Sequence, residues 1–342
     1  MKYSRRQFAL LTAGLGVGLA SCTKSTGAPS SSAGSSASAK YTIGLTYTPN
    51  IQFAPMYVAA EKGFFTEQGL NITLRHHGAQ ESLLGALQSG DEQVVYAGGD
   101  EMMQARSQGV DAVSIATIYQ QHPVELIVPE ASAIKTLADL QGHSVGLPGP
   151  YGENWFGLLA MLNLAGLKQS DISIQNIGYT QQSALMGGRV DSVIGFSNND
   201  AVQFRRANFA IREIQLTSTG ALPLVGVGLG ALNSTVNATP GDLTKLLRAV
   251  RTGMQFNIDN PDESVRLSAK YVPGLTDSTQ AANALATLKA TNTLYGTLAQ
   301  FCRQNESRWT QMAAFMQDQG LLAKPVPAAE AYTTKIVQPL VG

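Results

Sequence analysis

LTYTPNIQFAPMYVAAEKGFFTEQGL, from Leu45 to Leu70, changes its pattern of apolar residues part-way along. The residues around its start, 41–46, alternate between apolar and small or polar side chains, which predicts a β-strand. A proline at position 49 ends this strand, because proline has no backbone N–H to donate to a sheet. From Pro55 onward the apolar residues recur at helical spacing. The loop between strand and helix, 47–53, therefore follows the carboxyl end of a strand, where open α/β sheets bind ligands.

The same order of strand, loop and helix recurs along the chain. Further strands are predicted at 71–75, 93–97, 113–118, 124–128, 144–147, 172–174, 192–196 and 224–229, with helices at 82–88, 100–106, 153–166 and 182–186. Alternating strands and helices predict an α/β fold with largely parallel sheets. The chain forms one such unit, then a second unit inserted into it, and then returns to the first. This order predicts two lobes joined by two crossing strands. The predicted lobes are 41–124 with 226–342, and 125–225.

The amino-terminal residues are typical of an exported lipoprotein. Residues 1–22 combine a positively charged start with an apolar run too short to span a bilayer, as a signal peptide does. The four residues that end at Cys22 resemble a lipobox, which predicts lipid attachment at that cysteine. Arg5 and Arg6 resemble a twin-arginine export signal, and an ordinary secretory signal is the alternative. Serine, alanine and glycine dominate 23–40, which predicts a flexible tether.

Composition argues against several functions. Lys+Arg and Asp+Glu are equal at 24 each, so the chain lacks the basic excess of a nucleic-acid-binding protein. With lipid on Cys22, Cys302 is left as a single cysteine, and no disulfide or cysteine metal site can form. His76 and His77 point to opposite faces of a strand, and His122 is isolated in the sequence. We therefore expect no metal and no cofactor.

A resemblance to a known family rests on motifs spread over most of the chain after residue 40. The opening motif T-P-N-x-x-F-A-P-x-Y-V-A from Thr48 is followed by K-G-F-F-x-x-x-G-L, and later by D-L-Q-G at 139–142 and G-R-V-D at 188–191. These motifs resemble solute-binding proteins of bacterial ABC importers, in the group related to nitrate, taurine and thiamine-precursor binders and to thiamine-pyrimidine synthases. The resemblance implies a type II periplasmic-binding-protein fold, with the ligand in a cleft between two lobes.

The candidate binding residues follow the predicted carboxyl ends of strands, with Tyr119 and Gln120 at the predicted hinge. They are Tyr47, Asn50, Gln52, Phe53, Gly99, Asp100, Glu101, Tyr119, Gln120, Tyr151, Glu153, Asn154, Trp155, Asn198, Asn199 and Asp200. Phe53, Tyr119, Tyr151 and Trp155 are predicted to sandwich a planar ring, and Glu153, Asn199 and Asp200 to accept its N–H groups.

Each of these assignments has a purely structural alternative. Asp100 and Glu153 are also ordinary residues for the start of a helix. Tyr47 and Trp155 suit an apolar core equally well, and 198–200 suits a helix cap.

No lysine or arginine occurs in the predicted cleft loops, and two of the helices that face the cleft begin with acidic residues. An anionic ligand is therefore not expected, and aromatic rings with amides and carboxylates favour a nitrogen heteroaromatic.

The sequence thus predicts a binding protein and not an enzyme. It is expected to be a monomer, lipid-anchored to the outer face of the cytoplasmic membrane, that delivers its ligand to an ABC permease with its ATPase subunits. The alternatives are a thiamine-pyrimidine-synthase-like enzyme and a binder of another solute such as a sulfonate. Phe53 stands where the synthases have a histidine, and their cysteine cluster is missing. The same Phe53 makes the opening motif look more like family members linked to riboflavin uptake, and the choice between a flavin and a pyrimidine stays open.

Overall fold

The computed structural model describes residues 38–46, 48–78, 81–214 and 222–341. The predicted signal peptide with Arg5 and Arg6, the lipid site Cys22, and the candidate binding residue Tyr47 lie outside these residues. Within the described ranges, none of the helices combines the length and the apolar character needed to cross a bilayer.

Ten strands in the described residues form two separate five-stranded sheets. The strands are β1 (Ala39–Leu45), β2 (Leu70–His76), β3 (Val94–Ala97), β4 (Ala112–Thr117), β5 (Val124–Pro129), β6 (Ser144–Leu147), β7 (Ser173–Asn176), β8 (Ser192–Phe196), β9 (Ile211–Ile214) and β10 (Gly228–Leu232). The first sheet has the order β2-β1-β3-β10-β4 and the second β7-β6-β8-β5-β9. In the first sheet only β10, and in the second only β5, pairs antiparallel to its neighbours. This arrangement confirms the predicted α/β fold with two sheets.

The helices of the described residues cover the faces of these sheets. They are α1 (Ala54–Glu61), α2 (Phe64–Glu67), α3 (Gly85–Ser89), α4 (Gly99–Ser107), α5 (Gly152–Ala165), α6 (Gln181–Met186), α7 (Asp200–Arg206), α8 (Asn233–Ala238), α9 (Pro240–Asp259), α10 (Pro261–Ser268), α11 (Ser278–Leu294), α12 (Glu306–Asp318), α13 (Ala328–Ala331) and α14 (Gln338–Val341). The opening stretch folds as predicted: β1 ends at Leu45, and α1 carries a proline in its first turn, where a missing N–H costs nothing. Asn50 caps the short 3₁₀ turn between them, its side chain accepting a bond from Gln52 N.

One predicted strand needs correction, and one strand was missed. The predicted strand 224–229 begins only at Gly228, and the residues before it cross between the sheets without regular pairing. The strand β9 was not predicted, because its four residues read Ile-Arg-Glu-Ile, which is short and has no apolar–polar alternation.

Two crossing segments, 118–123 between β4 and β5 and 222–227 before β10, connect the two sheets, and they are hydrogen-bonded to each other. The backbone N–H groups of Ile118 and Tyr119 both donate to Val227 O at 2.9 Å. Gly228 lies so close to the neighbouring strand that a Cβ placed on it would come 2.0 Å from Ala116 O. Only glycine permits this approach, so the sequence at this point is dictated by the backbone contact.

The apolar core of the second sheet includes residues from the end of the chain. Trp309, Met312 and Met316 of α12 are fully buried in the same cluster as Val124 and Leu126 of β5. The predicted lobe bounds assign this helix to the first lobe, and those bounds remain a prediction.

We predict that Gly228→Ala lowers the free energy of unfolding by about 2 kcal/mol or more, because its Cβ would collide with a backbone carbonyl that cannot move aside. Gly241→Ala is the matched control, since Gly241 lies exposed in the first turn of α9 with no atom near its would-be Cβ. Urea unfolding of both variants measures the difference. The control should be unchanged or stabilised by up to ~1 kcal/mol. Equal stability of the two variants would contradict the contact described here.

Candidate ligand-binding site

A cavity of about 420 Å³ is lined by loops at the carboxyl ends of strands of both sheets. Ten of the predicted binding residues line it, namely Asn50, Gln52, Phe53, Glu101, Tyr119, Tyr151, Glu153, Asn154, Asn199 and Asp200. The loops meet here because the parallel strands of each sheet end at the same edge. The cavity lies within the size range of small-molecule sites.

Five predicted residues do not line the cavity. Gly99 N donates to Val225 O in the crossing segment before β10, and Asp100 is fully buried behind the wall of the cavity. Gln120 donates from Nε2 to two backbone carbonyls, and Asn198 donates from Nδ2 to a threonine hydroxyl of α11. Trp155 packs against the apolar core of the second sheet, because its place on α5 turns it away from the cleft. These five remain predictions that the cavity does not support.

Other residues complete the wall. Tyr96 at the end of β3, and 179–183 at the start of α6, line the cavity together with Gln203 of α7. The loop before α6 follows the carboxyl end of β7, so the same rule that identified the other loops would have found it. Gln203 carried no signal in the sequence.

Only some of the aromatic rings have a face open to a ligand. Tyr119 is 2% exposed, and its ring packs against Tyr96 and Tyr295 with centroid distances of 6.5 and 6.1 Å. Tyr151 and Tyr179, by contrast, are 51% and 67% exposed, and both line the cavity. The surface available for stacking is therefore provided by Tyr151 and Tyr179 instead of Tyr119 and Trp155.

The amides of the cavity are already oriented by the protein. Asn154 Nδ2 donates to Ile194 O at 3.0 Å, which leaves Asn154 Oδ1 free to accept a bond from a ligand. Asn199 Oδ1 accepts a bond from Gln203 Nε2 at 2.9 Å, so the Asn199 side chain offers a donor. The wall therefore presents both kinds of hydrogen-bonding group.

The charged groups that line the cavity are all acidic. They are Glu101, Glu153 and Asp200, and no lysine, arginine or histidine lines it in the part of the chain that the structure describes. Asp200 Oδ2 accepts a bond from Phe196 N at 2.8 Å, yet burial raises the pKa of Asp200 to about 6. Burial also raises the pKa of Glu153 well above its usual range, and the charges of Asp100 and Glu101 add to this effect.

A buried group of polar side chains lies behind Glu153. His122 Nε2 is 3.8 Å from Asp100 Oδ2 and 3.9 Å from Glu153 Oε1, and none of these three atoms has a hydrogen-bond partner. The prediction that His122 is isolated is therefore wrong: the crossing after β4 brings it between the first turns of α4 and α5. Val124 N donates to His122 Nδ1 at 3.4 Å, which places the ring proton on Nε2 and leaves no lone pair there for a metal.

A second group with metal-ligand chemistry lies near the end of β2. His77, Glu81 and Glu92 are close together, but Arg75 donates to both glutamates, at 2.7 and 2.6 Å. The arginine already compensates the charge that would attract a cation. The expectation that the chain holds no metal stays a prediction.

Comparison with known proteins gives the family. Residues 50–264 match the family described as NMT1/THI5 like. The chain belongs to this family. Over 310 residues it is 29% identical to the riboflavin-binding protein RibY of Chloroflexus aurantiacus, covering 86% of this chain and 85% of the relative. A formylaminopyrimidine-binding protein of Halalkalibacterium halodurans is 22% identical, covering 85% of this chain and 88% of the relative.

Other relatives in this NMT1/THI5-like family carry the names of enzymes. The 4-amino-5-hydroxymethyl-2-methylpyrimidine phosphate synthase of Legionella pneumophila is 24% identical, covering 70% of this chain and 76% of the relative.

The fold matches the periplasmic aliphatic sulphonate binding protein SsuA of Escherichia coli with a TM-score of 0.68, at 18% identity, covering 85% of this chain and 91% of SsuA. The expected periplasmic-binding-protein fold is thereby confirmed.

We predict that Asp200→Asn flattens the pH dependence of stability between pH 4 and 7. The pKa of Asp200 is raised in the folded state from 3.8 to about 6, so the stability that its neutral form contributes is fully present below pH ~4 and is lost as the pH rises through about 6. Relative to the variant, the wild type should lose roughly 1–3 kcal/mol over this range.

Urea unfolding at a series of pH values measures this loss. Asp318→Asn, which changes an exposed carboxylate in the last turn of α12, is the control and should follow the wild type. Parallel profiles for the wild type and Asp200→Asn would show that burial does not perturb this carboxyl group.

Proposed function

We propose that the chain is the extracytoplasmic substrate-binding protein of an ABC importer, and that it captures a small nitrogen heteroaromatic between its two lobes. The observation that carries this proposal is the charge and shape of the cavity. Its wall has acidic and amide groups, two open tyrosine rings and no cationic side chain among the described residues. Such a wall suits a flat, uncharged ligand with hydrogen-bonding edges.

Stacking is the main source of affinity in this proposal. A planar ring placed against Tyr151 and Tyr179 gains ~1–3 kcal/mol per stacked face, by comparison with bases on aromatic side chains. Asn154 Oδ1 accepts an N–H of the ring, Asn199 donates to one of its acceptors, and each such bond adds ~0.5–1.5 kcal/mol. Phe53 adds a buried aromatic ring to the wall of the cavity.

A sulfonate or another anion is disfavoured by the same wall. Protein sites for such groups combine helix N-termini with arginine, lysine or hydroxyl groups. Here the first turns of α4, α5 and α7 each carry an acidic residue that lines the cavity. The match to SsuA therefore supports the fold and not the sulfonate as ligand.

The enzyme alternative has little support from the residues. Phe53 occupies the place where the synthases that the chain resembles have a histidine. Cys302, the free cysteine in the described part of the chain, is fully buried, and burial raises the pKa of its thiol to about 12. Neither group can act as an iron ligand or a nucleophile at the cavity. We therefore propose binding without turnover.

Between the two ligand classes left open, the flavin is the first candidate. The match to RibY is longer and higher in identity than the match to the formylaminopyrimidine-binding protein. The pyrimidine remains the second candidate, because that relative spans the same part of the chain. We further propose a monomer that is lipid-anchored at Cys22, outside the cytoplasmic membrane, and delivers its ligand to a permease with its ATPase subunits.

We predict that a heteroaromatic, and no anion, raises the thermal unfolding midpoint, because a ligand that binds the folded state stabilises it by mass action. The panel is riboflavin, the hydroxymethyl and formylamino pyrimidines, thiamine, taurine, nitrate and an alkanesulfonate. Tyr151→Ala and Tyr179→Ala should each weaken binding about tenfold or more, since stacking at these rings is lost.

Leu298→Ala is the matched control for this series, because Leu298 is an exposed apolar side chain that does not line the cavity. It should bind like the wild type. Stabilisation by taurine, nitrate or the sulfonate, with none by any ring compound, would refute the proposal.

We predict that Cys22→Ser removes the protein from the membrane fraction or leaves it unprocessed, because a lipid chain can then no longer be attached. Immunoblotting of membrane and soluble fractions measures this. Replacing the second cysteine, Cys302→Ser, is the control and should leave the distribution unchanged. Normal membrane fractionation of Cys22→Ser would exclude this anchor.

A further inference from the structure

We propose that Glu153 meets the ligand as a neutral carboxylic acid, and that its O–H group donates a hydrogen bond to a carbonyl oxygen or ring nitrogen of the ligand. This inference rests on the proposed function. It also reverses the role expected from the sequence, in which Glu153 accepts an N–H group. The ligand must then present a hydrogen-bond acceptor to the first turn of α5.

The position of the side chain separates its two oxygen atoms. Glu153 is 6% exposed and lines the cavity, while its Oε1 is enclosed and turned towards His122 and Asp100. The cavity is therefore left to Oε2. Because Val124 N donates to His122 Nδ1, the proton of the neutral imidazole lies on Nε2 and points towards Glu153 Oε1 and Asp100 Oδ2. A donor on that side favours Oε1 as the carbonyl oxygen and leaves the acid proton on Oε2.

His122 lies beside Glu153 without a direct hydrogen bond to it. Separations of 3.8 and 3.9 Å from His122 Nε2 to Asp100 Oδ2 and Glu153 Oε1 are too long for such bonds. The contact with His122 therefore leaves Glu153 Oε1 without a hydrogen-bond partner.

The charges around Glu153 favour its neutral form. Asp100 and Glu153 are both buried beside each other, and His122 is the one imidazole near them among the described residues. Two buried carboxylates this close oppose each other's ionisation, because each loses its water and repels the other.

The hydrogen bonds of the neighbouring acids differ from those of Glu153. Asp100 Oδ1 accepts a bond from Glu101 N at 2.8 Å, and Glu101 Oε2 accepts one from Gly98 N at 3.0 Å. Glu153 Oε1, in contrast, has no donor within hydrogen-bond distance. A carboxylate without a donor gains least from being ionised, so the proton is assigned to Glu153.

The shift in the pKa of Glu153 agrees with this assignment. Burial raises that pKa well above its usual range, followed by the charges of Asp100 and Glu101. The titratable groups that face Glu153 from the surrounding elements are Asp100 and Glu101 of α4, His122 of the crossing, Tyr96 of β3 and Tyr119 at the end of β4.

The binding test uses riboflavin with the full-length protein, followed by quenching of the flavin fluorescence from pH 5 to 9. If the neutral acid is required, the Kd of the wild type is constant at low pH and rises tenfold per pH unit above the pKa of Glu153. Glu153→Gln keeps a donor and an acceptor without a charge, so it should bind within about threefold of the low-pH wild type and lose the pH dependence. A more than tenfold loss of affinity in Glu153→Gln, with a wild-type Kd that does not depend on pH, would show that Glu153 binds the ligand in its ionised form.

Asp100→Asn tests the effect of the neighbouring acid on Glu153. It removes a charge that opposes ionisation of Glu153, so the pH at which affinity begins to fall should move to a lower value. This variant also keeps the proposal testable if Glu153→Gln does not fold. An unchanged pH profile would contradict the role given to Asp100.

A ligand-free measurement separates this inference from the proposed function. Because the pKa of Glu153 is raised in the folded state, the stability from its neutral form is present at low pH and is lost as the pH rises towards that pKa. The thermal midpoint of the wild type should therefore fall relative to Glu153→Gln between pH 5 and 8. Parallel curves would overturn the neutral state of Glu153. Failure of all ring compounds to bind the wild type, with curves that diverge, would instead overturn the proposed function and the donation to such a ligand, and would leave the neutral acid standing.

Discussion

The contact between the two crossing segments is the constraint on which the cavity depends. Two N–H groups at Ile118 and Tyr119 share Val227 O, so the chain leaves the first sheet and returns to it at one point. Loops that follow strands of both sheets line one cavity together with Tyr119 and Val227 of this contact. This geometry requires glycine at position 228, because any side chain there would collide with the backbone of β4.

Two polar contacts away from the crossing connect elements around the second sheet to helix α11. Asn198, in the loop after β8, donates from Nδ2 to Thr291 of α11 at 2.9 Å, and both side chains are buried. Arg206 of α7 bonds to Asn283 on the same helix α11. These two contacts join α11 to the loop after β8 and to α7, which follow a strand of the second sheet.

The electrostatic character of the cavity follows from residues at helix starts. The partial positive charge of a helix N-terminus favours an acidic side chain there, which explains why α4, α5 and α7 begin with such residues. In an anion-binding member of a fold like this one, the same helix ends would be left for the ligand. We propose that acidic residues at these helix starts exclude anionic ligands without any change in the fold.

The fold was predictable because its signals are local. The alternation in β1, the break at Pro49 and the helical spacing after Pro55 each act within a few residues. The short strand β9 and the start of β10 were missed, because their pairing depends on partners far along the chain.

The site was only partly predictable, since the carboxyl-end rule identifies loops and not the direction of each side chain. Trp155 and Tyr151 lie four residues apart, yet one packs in the core and the other is open to the cavity. The meeting of His122 with Asp100 and Glu153 joins three separate parts of the chain and left no mark in the sequence.

We propose above all that the cleft selects an uncharged nitrogen heteroaromatic. Mass spectrometry of the protein purified without added ligand, first intact under native conditions and then after denaturation, identifies the molecule that the cleft retains. We expect a single flat heteroaromatic, a flavin or an aminopyrimidine, released in proportion to the protein. A retained sulfonate or other anion without a ring would contradict it.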